Sequence, residues 1–223
     1  TMDYITGSIF PLNYGTSIHA FKQRADLKEG ESVLIMGAAG GLGLTAIHVA
    51  KAMGAKVIAA ASSTEKLELC QSQGADETIL YSRDNMNRDS QKEFSNNIKA
   101  VTQGQGVDVI FDPVGGAYCE PALRAIAWKG RYLVIGFTSS IPSIPLNLAL
   151  LKGCQIIGVF WGNFCVKEPL VNADNFKALF KMFENDQIKP FVVETYPLEK
   201  TAHAIELLAN REALGKIAIK IRN

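Results

Sequence analysis

An apolar run, Glu31 to Ala38 (ESVLIMGA), leads into the turn Gly37-Ala38-Ala39-Gly40-Gly41-Leu42-Gly43 and then into a helical pattern. The run reads as a buried strand. Gly41 to Met53 reads as a helix, with Leu42, Ala46, Val49, Ala50 and Met53 on one face and Gly54 as its stop. The turn has the spacing Ala38-x-Gly40-x-x-Gly43, with alanine where the first glycine of a dinucleotide fingerprint usually stands. Gly40 would let the backbone approach a diphosphate, and Gly43 would let the helix pack closely on the sheet. Free N–H groups and the dipole at the helix start would hold the phosphates. Glycine spacing alone is weak. The strand–turn–helix setting is what gives it weight. A tight turn without a ligand and an S-adenosylmethionine site are the competing readings.

The pattern repeats along the chain. Lys56 to Ala61 is the next strand, and Ser62 with Glu65 forms a capping box for a helix that Gly74 ends. Glu77 to Ser82 reads as a strand and Asn87 to Gln103 as a helix. Val107 to Val114 reads as a strand, Gly116 to Trp128 as a helix, and Arg131 to Phe137 and Gln155 to Trp161 as strands. The polar stretch Ser82 to Asn97 carries the weakest pattern. Short strands rich in β-branched residues, separated by helices, predict a parallel sheet covered on both faces with right-handed crossovers. The fold class is α/β, a Rossmann-type doubly wound parallel sheet. Beyond it, a helix over Asn172 to Glu184 presents Phe176, Leu179, Phe180 and Phe183 on one face. A strand-like stretch (Ile188 to Tyr196), a helix (Glu199 to Leu214) and a strand (Lys216 to Ile221) follow.

Composition narrows the class. The 223 residues carry a formal net charge of +1, which argues against a broad nucleic-acid or membrane-surface footprint. No apolar run reaches the ~18–20 residues of a membrane span. Cys70, Cys119, Cys154 and Cys165 contain no Cys-x-x-Cys pair, so we expect free, buried or half-buried thiols and no metal ligands. The chain begins with Thr1, so we expect a processed product or a piece of a longer protein, and no targeting signal is read from it.

The second strand tip discriminates between cofactors. An NAD site usually has an acid about 20 residues beyond the turn, on the ribose 2′-hydroxyl. Here the tip reads Ala60-Ala61-Ser62-Ser63-Thr64-Glu65-Lys66. It offers hydroxyls, a helix N-terminus and Lys66, which suit a 2′-phosphate. Glu65 is assigned to the capping box. The cofactor expected is NADPH.

Further segments complete an ordered set: Tyr14 to Phe21 (YGTSIHAF), GAAGGLG, AASSTEKLELCQSQGAD, FDPVGG (Phe111 to Gly116), LVIGF (Leu133 to Phe137), PLNLALLKG and GVFWG. Together they resemble the medium-chain dehydrogenase/reductase superfamily, and within it the zinc-independent NADPH:quinone oxidoreductase branch. AAGGLG and DPVGG carry the branch assignment. The resemblance implies a two-domain enzyme whose N-terminal GroES-like substrate domain is mostly missing here. It divides the chain into a connecting helical segment (1–29), the NADPH-binding domain (30–165), a returning helix (166–187) and C-terminal segments completing the substrate domain (188–223).

The resemblance also implies roles. Thr16 would meet the nicotinamide end. Ala39, Gly40, Gly41, Leu42 and Gly43 would cradle the diphosphate. Ser62, Ser63, Lys66 and Tyr81 would hold the 2′-phosphate. Asp112, Val114 and Gly115 would lie near the cofactor, and Gly136, Phe137, Phe160, Trp161 and Gly162 near the nicotinamide. Phe160 and Trp161 read equally well as core or dimer packing. Lys216 is a weaker candidate for a cofactor contact. No catalytic acid is assigned: His48 and His203 read as structural, and His19, three residues after Thr16, is the less favoured candidate for a catalytic role. The activity implied is hydride transfer from NADPH to a quinone or similar electrophilic enone; an enoyl-thioester reductase or a non-catalytic NADPH-binding protein are the alternatives. The edge strand near Gly158 to Trp161 implies a homodimer. A cytoplasmic location is expected, or a mitochondrial one if a transit peptide preceded Thr1.

Overall fold

A computed structural model describes residues 2–82, 87–210 and 212–221. Helix α1 (Tyr4–Ile18) runs into a π-helical turn (His19–Arg24). Then follow β1 (Ser32–Ile35), α2 (Gly41–Ala52), β2 (Lys56–Ala61), α3 (Thr64–Ser72), β3 (Glu77–Leu80), α4 (Arg88–Val101), β4 (Val107–Asp112), α5 (Cys119–Arg124), β5 (Ile126–Val134), α6 (Asn147–Lys152) and β6 (Gln155–Gly158). The chain continues through α7 (Trp161–Lys167), α8 (Pro169–Glu184), β7 (Val192–Pro197), α9 (Thr201–Ala209) and β8 (Lys216–Lys220).

Strands β1 to β6 form one sheet in the order β3-β2-β1-β4-β5-β6, with every pair parallel. Side chains alternate across a strand, so a strand buried on both faces feeds two cores. Val33, Ile35, Val57, Ala59, Val109, Phe111 and Leu133 join one core with residues of α1, α2 and α8. Leu34, Ile58, Ala60, Ile110 and Tyr132 join the other with residues of α4, α5 and α6. The strand order reverses between β1 and β4. In open parallel sheets the ligand crevice lies at such a point, beyond the carboxyl ends of the strands.

The C-terminal strands β7 and β8 form a separate two-stranded parallel sheet joined through α9. They pair with each other from Val192 opposite Lys216 to Pro197 opposite Lys220. The free thiols Cys70 and Cys119 are buried, and Cys154 and Cys165 are half-buried. Among the described residues, no helix is long and apolar enough to cross a membrane.

Several boundaries differ from expectation for local reasons. The helix predicted over Gly116 to Trp128 is a 3-10 turn (Gly116–Tyr118) plus the short α5. Ile126 to Trp128 belong instead to β5, where Ile126 pairs with Val107, so sheet pairing overrides helical periodicity. The strand predicted to reach Trp161 ends at Gly158, and Trp161 opens α7. Helix α8 starts at Pro169, where proline's fixed φ and missing N–H suit the first turn. The helix expected to reach Leu214 ends at Ala209, and residue 211 lies outside the described residues. So do residues 83–86 of the polar stretch, after which Asn87 caps α4.

Candidate functional site

The sheet's topology gathers the candidates before any side chain is considered. Strands β1 to β6 end at Ile35, Ala61, Leu80, Asp112, Val134 and Gly158. All the sequence candidates except Thr16 and Lys216 begin at or within a few residues of those ends, on one edge of the sheet. A cleft of about 460 Å³ opens there. Ala39, Gly40, Gly41, Ser62, Lys66, Tyr81 and Val114 line it, joined by Gly37, Ala61, Tyr118, Thr138 and Ser139, and from the C-terminal unit by Leu208, Ala209, Ala213 and Gly215.

The glycine turn is shaped for a close approach. Gly37 adopts a left-handed conformation, φ +59°, that an L side chain rarely takes, and a Cβ there would fall 2.9 Å from Val114. A Cβ on Gly43 would lie 2.4 Å from the Ala38 carbonyl oxygen, so only glycine lets α2 pack this tightly on β1. Gly40 is the N-cap of α2 and supplies no side-chain acceptor. The Leu44 N–H donates to the Gly40 carbonyl at 2.9 Å. The N–H groups of Gly41, Leu42 and Gly43 therefore have no acceptor within the helix. Three such donors and a positive dipole end are the groups that could hold an anion. Leu42 itself is half-buried and packs on the core.

The C-terminal strand closes this turn from outside. The Gly215 N–H donates to the Ala39 carbonyl at 2.8 Å, and Gly40 and Gly215 form a parallel bridge. The Lys216 side chain follows, with Cδ 3.0 Å from where a Cβ on Gly41 would sit. Burial holds its ammonium below the ordinary lysine range.

At the other end of the cleft, the helix cap is one residue later than the sequence suggested. Ser63 accepts from the Lys66 N–H at 3.3 Å and is the N-cap of α3. Ser62 is thereby outside the cap and lines the cleft with Lys66 and Tyr81. Glu65 is the second helical residue, exposed and not a lining residue. Among the described residues that line the cleft, Lys66 is the one charged side chain.

In the third group Val114 lines the cleft, and Asp112 braces it from behind. Asp112 is buried, and Oδ1 accepts from the N–H groups of Val114 at 2.7 Å and Gly115 at 2.9 Å. Oδ2 accepts from the Tyr132 hydroxyl, which also meets Cys119 Sγ at 2.8 Å. Burial raises the Asp112 carboxyl above the usual range, against the lowering effect of these hydrogen bonds. A Cβ on Gly115, φ +67°, would meet the Ser140 carbonyl oxygen at 2.7 Å and Phe137 at 3.0 Å. Gly136, beside Phe137, has no close contact at its Cβ position.

The nicotinamide-end candidates lie outside the cleft lining. The Thr16 hydroxyl donates to the Leu12 carbonyl at 2.7 Å, along its own helix. The Trp161 ring lies against Gly15, and its Nε1 donates to Asn172 Oδ1 at 3.1 Å. Phe160 is 74 % exposed, with Gly162 near its ring. His19 stacks on Phe164 at 3.9 Å and meets Gln23, His48 joins Tyr14 to Gln73, and His203 lies edge-on to Tyr196. No group of three or more metal-ligating side chains is gathered among the described residues.

Sequence reasoning missed Tyr118, Thr138 and Ser139. The signal available was their place directly after the β4 and β5 patterns. It also missed the α9 residues, which no local motif marks.

Comparison with known proteins fits this geometry. Residues 41–184 match the zinc-binding dehydrogenase family. Quinone oxidoreductase-like protein 2 of Bos taurus is 36 % identical over 214 residues, covering 95 % of this chain and 59 % of that protein. The chain thus spans about three fifths of that relative's length. A probable oxidoreductase from Mycobacterium abscessus superposes with a TM-score of 0.84 at 30 % identity, over 99 % of this chain and 64 % of that one. The JamJ enoyl reductase superposes with a TM-score of 0.84 at 28 % identity, over 100 % of this chain and 64 % of that one. Fold, site geometry and these similarities agree: the chain belongs to the zinc-binding dehydrogenase family, in the quinone oxidoreductase-like branch of the medium-chain dehydrogenases/reductases.

Proposed function

We propose that this chain is the NADPH-binding part of a zinc-independent oxidoreductase that reduces a quinone or similar electrophilic enone. One observation carries the reading. A single cleft joins an α2 N-terminus with three unused N–H donors to a pocket edged by Ser62, Lys66 and Tyr81, whose described lining residues include no acid. The first suits a diphosphate and the second a 2′-phosphate, at opposite ends of one dinucleotide.

Gly41, Leu42 and Gly43 donate to the diphosphate, with Lys216 offsetting its charge. Ser62 and Lys66 hold the 2′-phosphate, Tyr81 stands beside them, and Ser63 orients the helix start that carries Lys66. Asp112 holds Val114 and Gly115 in place as the cleft wall. Thr16, Gly136, Phe137, Phe160, Trp161 and Gly162 surround the nicotinamide end. The bound cofactor supplies the hydride, so the protein's task is positioning and exclusion of water. The likeness to JamJ favours enoyl-thioester reduction as the second reading. The edge position of β6 supports a homodimer through Gly158 to Trp161.

Calorimetric titration with NADPH and NADH side by side tests the cofactor reading. NADPH is expected to bind at least about tenfold tighter, the effect of one hydrogen bond to a charged group. Equal affinities would remove the 2′-phosphate assignment. The full-length protein should then consume NADPH with a soluble para-quinone; turnover with an enoyl thioester alone would favour the second reading.

A further inference from the structure

Two side chains distant in sequence converge on the N-terminus of α2. One is Lys216. The other is Asn13 of α1, which is 5 % exposed and whose Nδ2 lies 3.3 Å from the position of a Cβ on Gly41. The neighbouring polar groups of α1 are all engaged: Tyr14 with His48, Thr16 with the Leu12 carbonyl, Ser17 with Thr45. The Asn13 amide makes no side-chain hydrogen bond to any described residue. A primary amide has two donors and an acceptor. Neither Asn13 amide atom is among the fully enclosed, unpaired side-chain atoms, so the amide keeps a small opening to solvent beside the first turn of α2. The feature that distinguishes this position is its neighbour, a helix N-terminus whose N–H groups also lack acceptors.

We propose that Asn13 is a ligand-binding residue whose amide donates to a phosphate oxygen of the dinucleotide's diphosphate, between the first turn of α2 and Lys216. The proposal rests on the cofactor reading above. It adds a neutral donor, from a helix outside the glycine fingerprint, to the anion site. It also gives a role to a polar side chain that stands where α1 packs on α2.

Asn13→Leu and Asn13→Asp test it, with calorimetric titration of NADPH and NADH and thermal unfolding of the unliganded chain. Asn13→Leu should weaken both nucleotides by the same factor, about ten- to a hundredfold for one hydrogen bond to a charged group. The factor is shared because the diphosphate is common to both. The same variant should keep the melting temperature without ligand, whereas replacing a structural asparagine would lower it. Asn13→Asp should weaken binding further, since a carboxylate would face the phosphates. If Asn13→Leu melts lower and binds both nucleotides as before, Asn13 is structural and the proposal fails while the cofactor reading stands. If weakening is confined to NADPH, the amide serves the 2′ end and the proposal also fails. If the parent chain binds neither nucleotide, the cofactor reading falls and takes the proposal with it. Asn13→Ser carries the binding comparison should either variant fail to fold.

Discussion

The Trp161 indole rests directly on Gly15: a Cβ there would fall 2.6 Å from two ring atoms. Gly15 lies inside α1, where alanine would ordinarily gain about 1 kcal/mol of helix stability. Here the added methyl meets a ring that is also tethered to Asn172. Overpacking costs about 1–3 kcal/mol. Gly15→Ala should therefore lower the melting temperature, and the same change in a Trp161→Leu background should become neutral or stabilising. A double-mutant cycle measures the sign reversal. Additive effects would show that the ring does not set the constraint.

Lys66 is the one charged side chain among the described residues lining the cleft, and the proposed contact to a 2′-phosphate. Lys66→Ala should weaken NADPH by roughly 1.5–3 kcal/mol and leave NADH nearly unchanged. Equal weakening of both in side-by-side titrations would move Lys66 away from the 2′-phosphate.

His48 makes stability depend on pH. Its Nε2 faces the Gln73 oxygen at 3.0 Å, which can only accept, so Nε2 carries the proton and Nδ1 accepts from the Tyr14 hydroxyl at 2.7 Å. Burial pushes the imidazole below its ordinary 6.5. The unfolded chain takes up a proton near 6.5 while the folded chain resists it. This contribution is intact above that pH and is lost as pH falls from 6.5 toward the folded value. His19, also lowered by burial, acts in the same direction. Urea unfolding should thus show declining stability between about pH 7.5 and 5. His48→Gln should start about 1–2 kcal/mol lower and decline less steeply. An unchanged slope would show that His48 is not the titrating group.

The sheet edge tests the proposed dimer, provided the right residue is charged. Ile157 packs on the core and Val159 is buried, so substituting either disturbs folding as well as association. Ile156 is 37 % exposed on the same strand. Ile156→Glu should convert a dimer to a monomer in sedimentation velocity with little change in melting temperature. A dimer that survives is built elsewhere.

The parallel sheet was legible because its strands are short apolar runs and its turns carry glycine. The shape of the glycine turn was legible for the same reason: Gly40 and Gly43 mark close backbone packing, which sequence spacing encodes directly. The cap of α3 was misplaced by one residue because Ser62 and Ser63 are adjacent and either hydroxyl fits a capping pattern. Only the fold shows that Ser63 takes the cap and leaves Ser62 to the cleft. For Asp112 the sequence suggested a place near the cofactor but not its partners, Val114, Gly115 and Tyr132, the last 20 residues away. Trp161 was read as strand because its anchors, Gly15 and Asn172, lie on helices distant in sequence from it or from one another. Position along the chain encodes neither contact.

The hydrogen bond from Gly215 to Ala39 sets a schedule for the molecule's own synthesis. Its two residues are 176 positions apart (215 minus 39), so at ordinary translation rates the second emerges about 9–35 s after the first. The sheet, both cores and the glycine turn are all encoded earlier. A nascent chain can therefore fold its central scaffold long before the strand that braces the turn exists. The proposed nucleotide affinity should be acquired late and abruptly during elongation, once that strand emerges, rather than as a gradual gain.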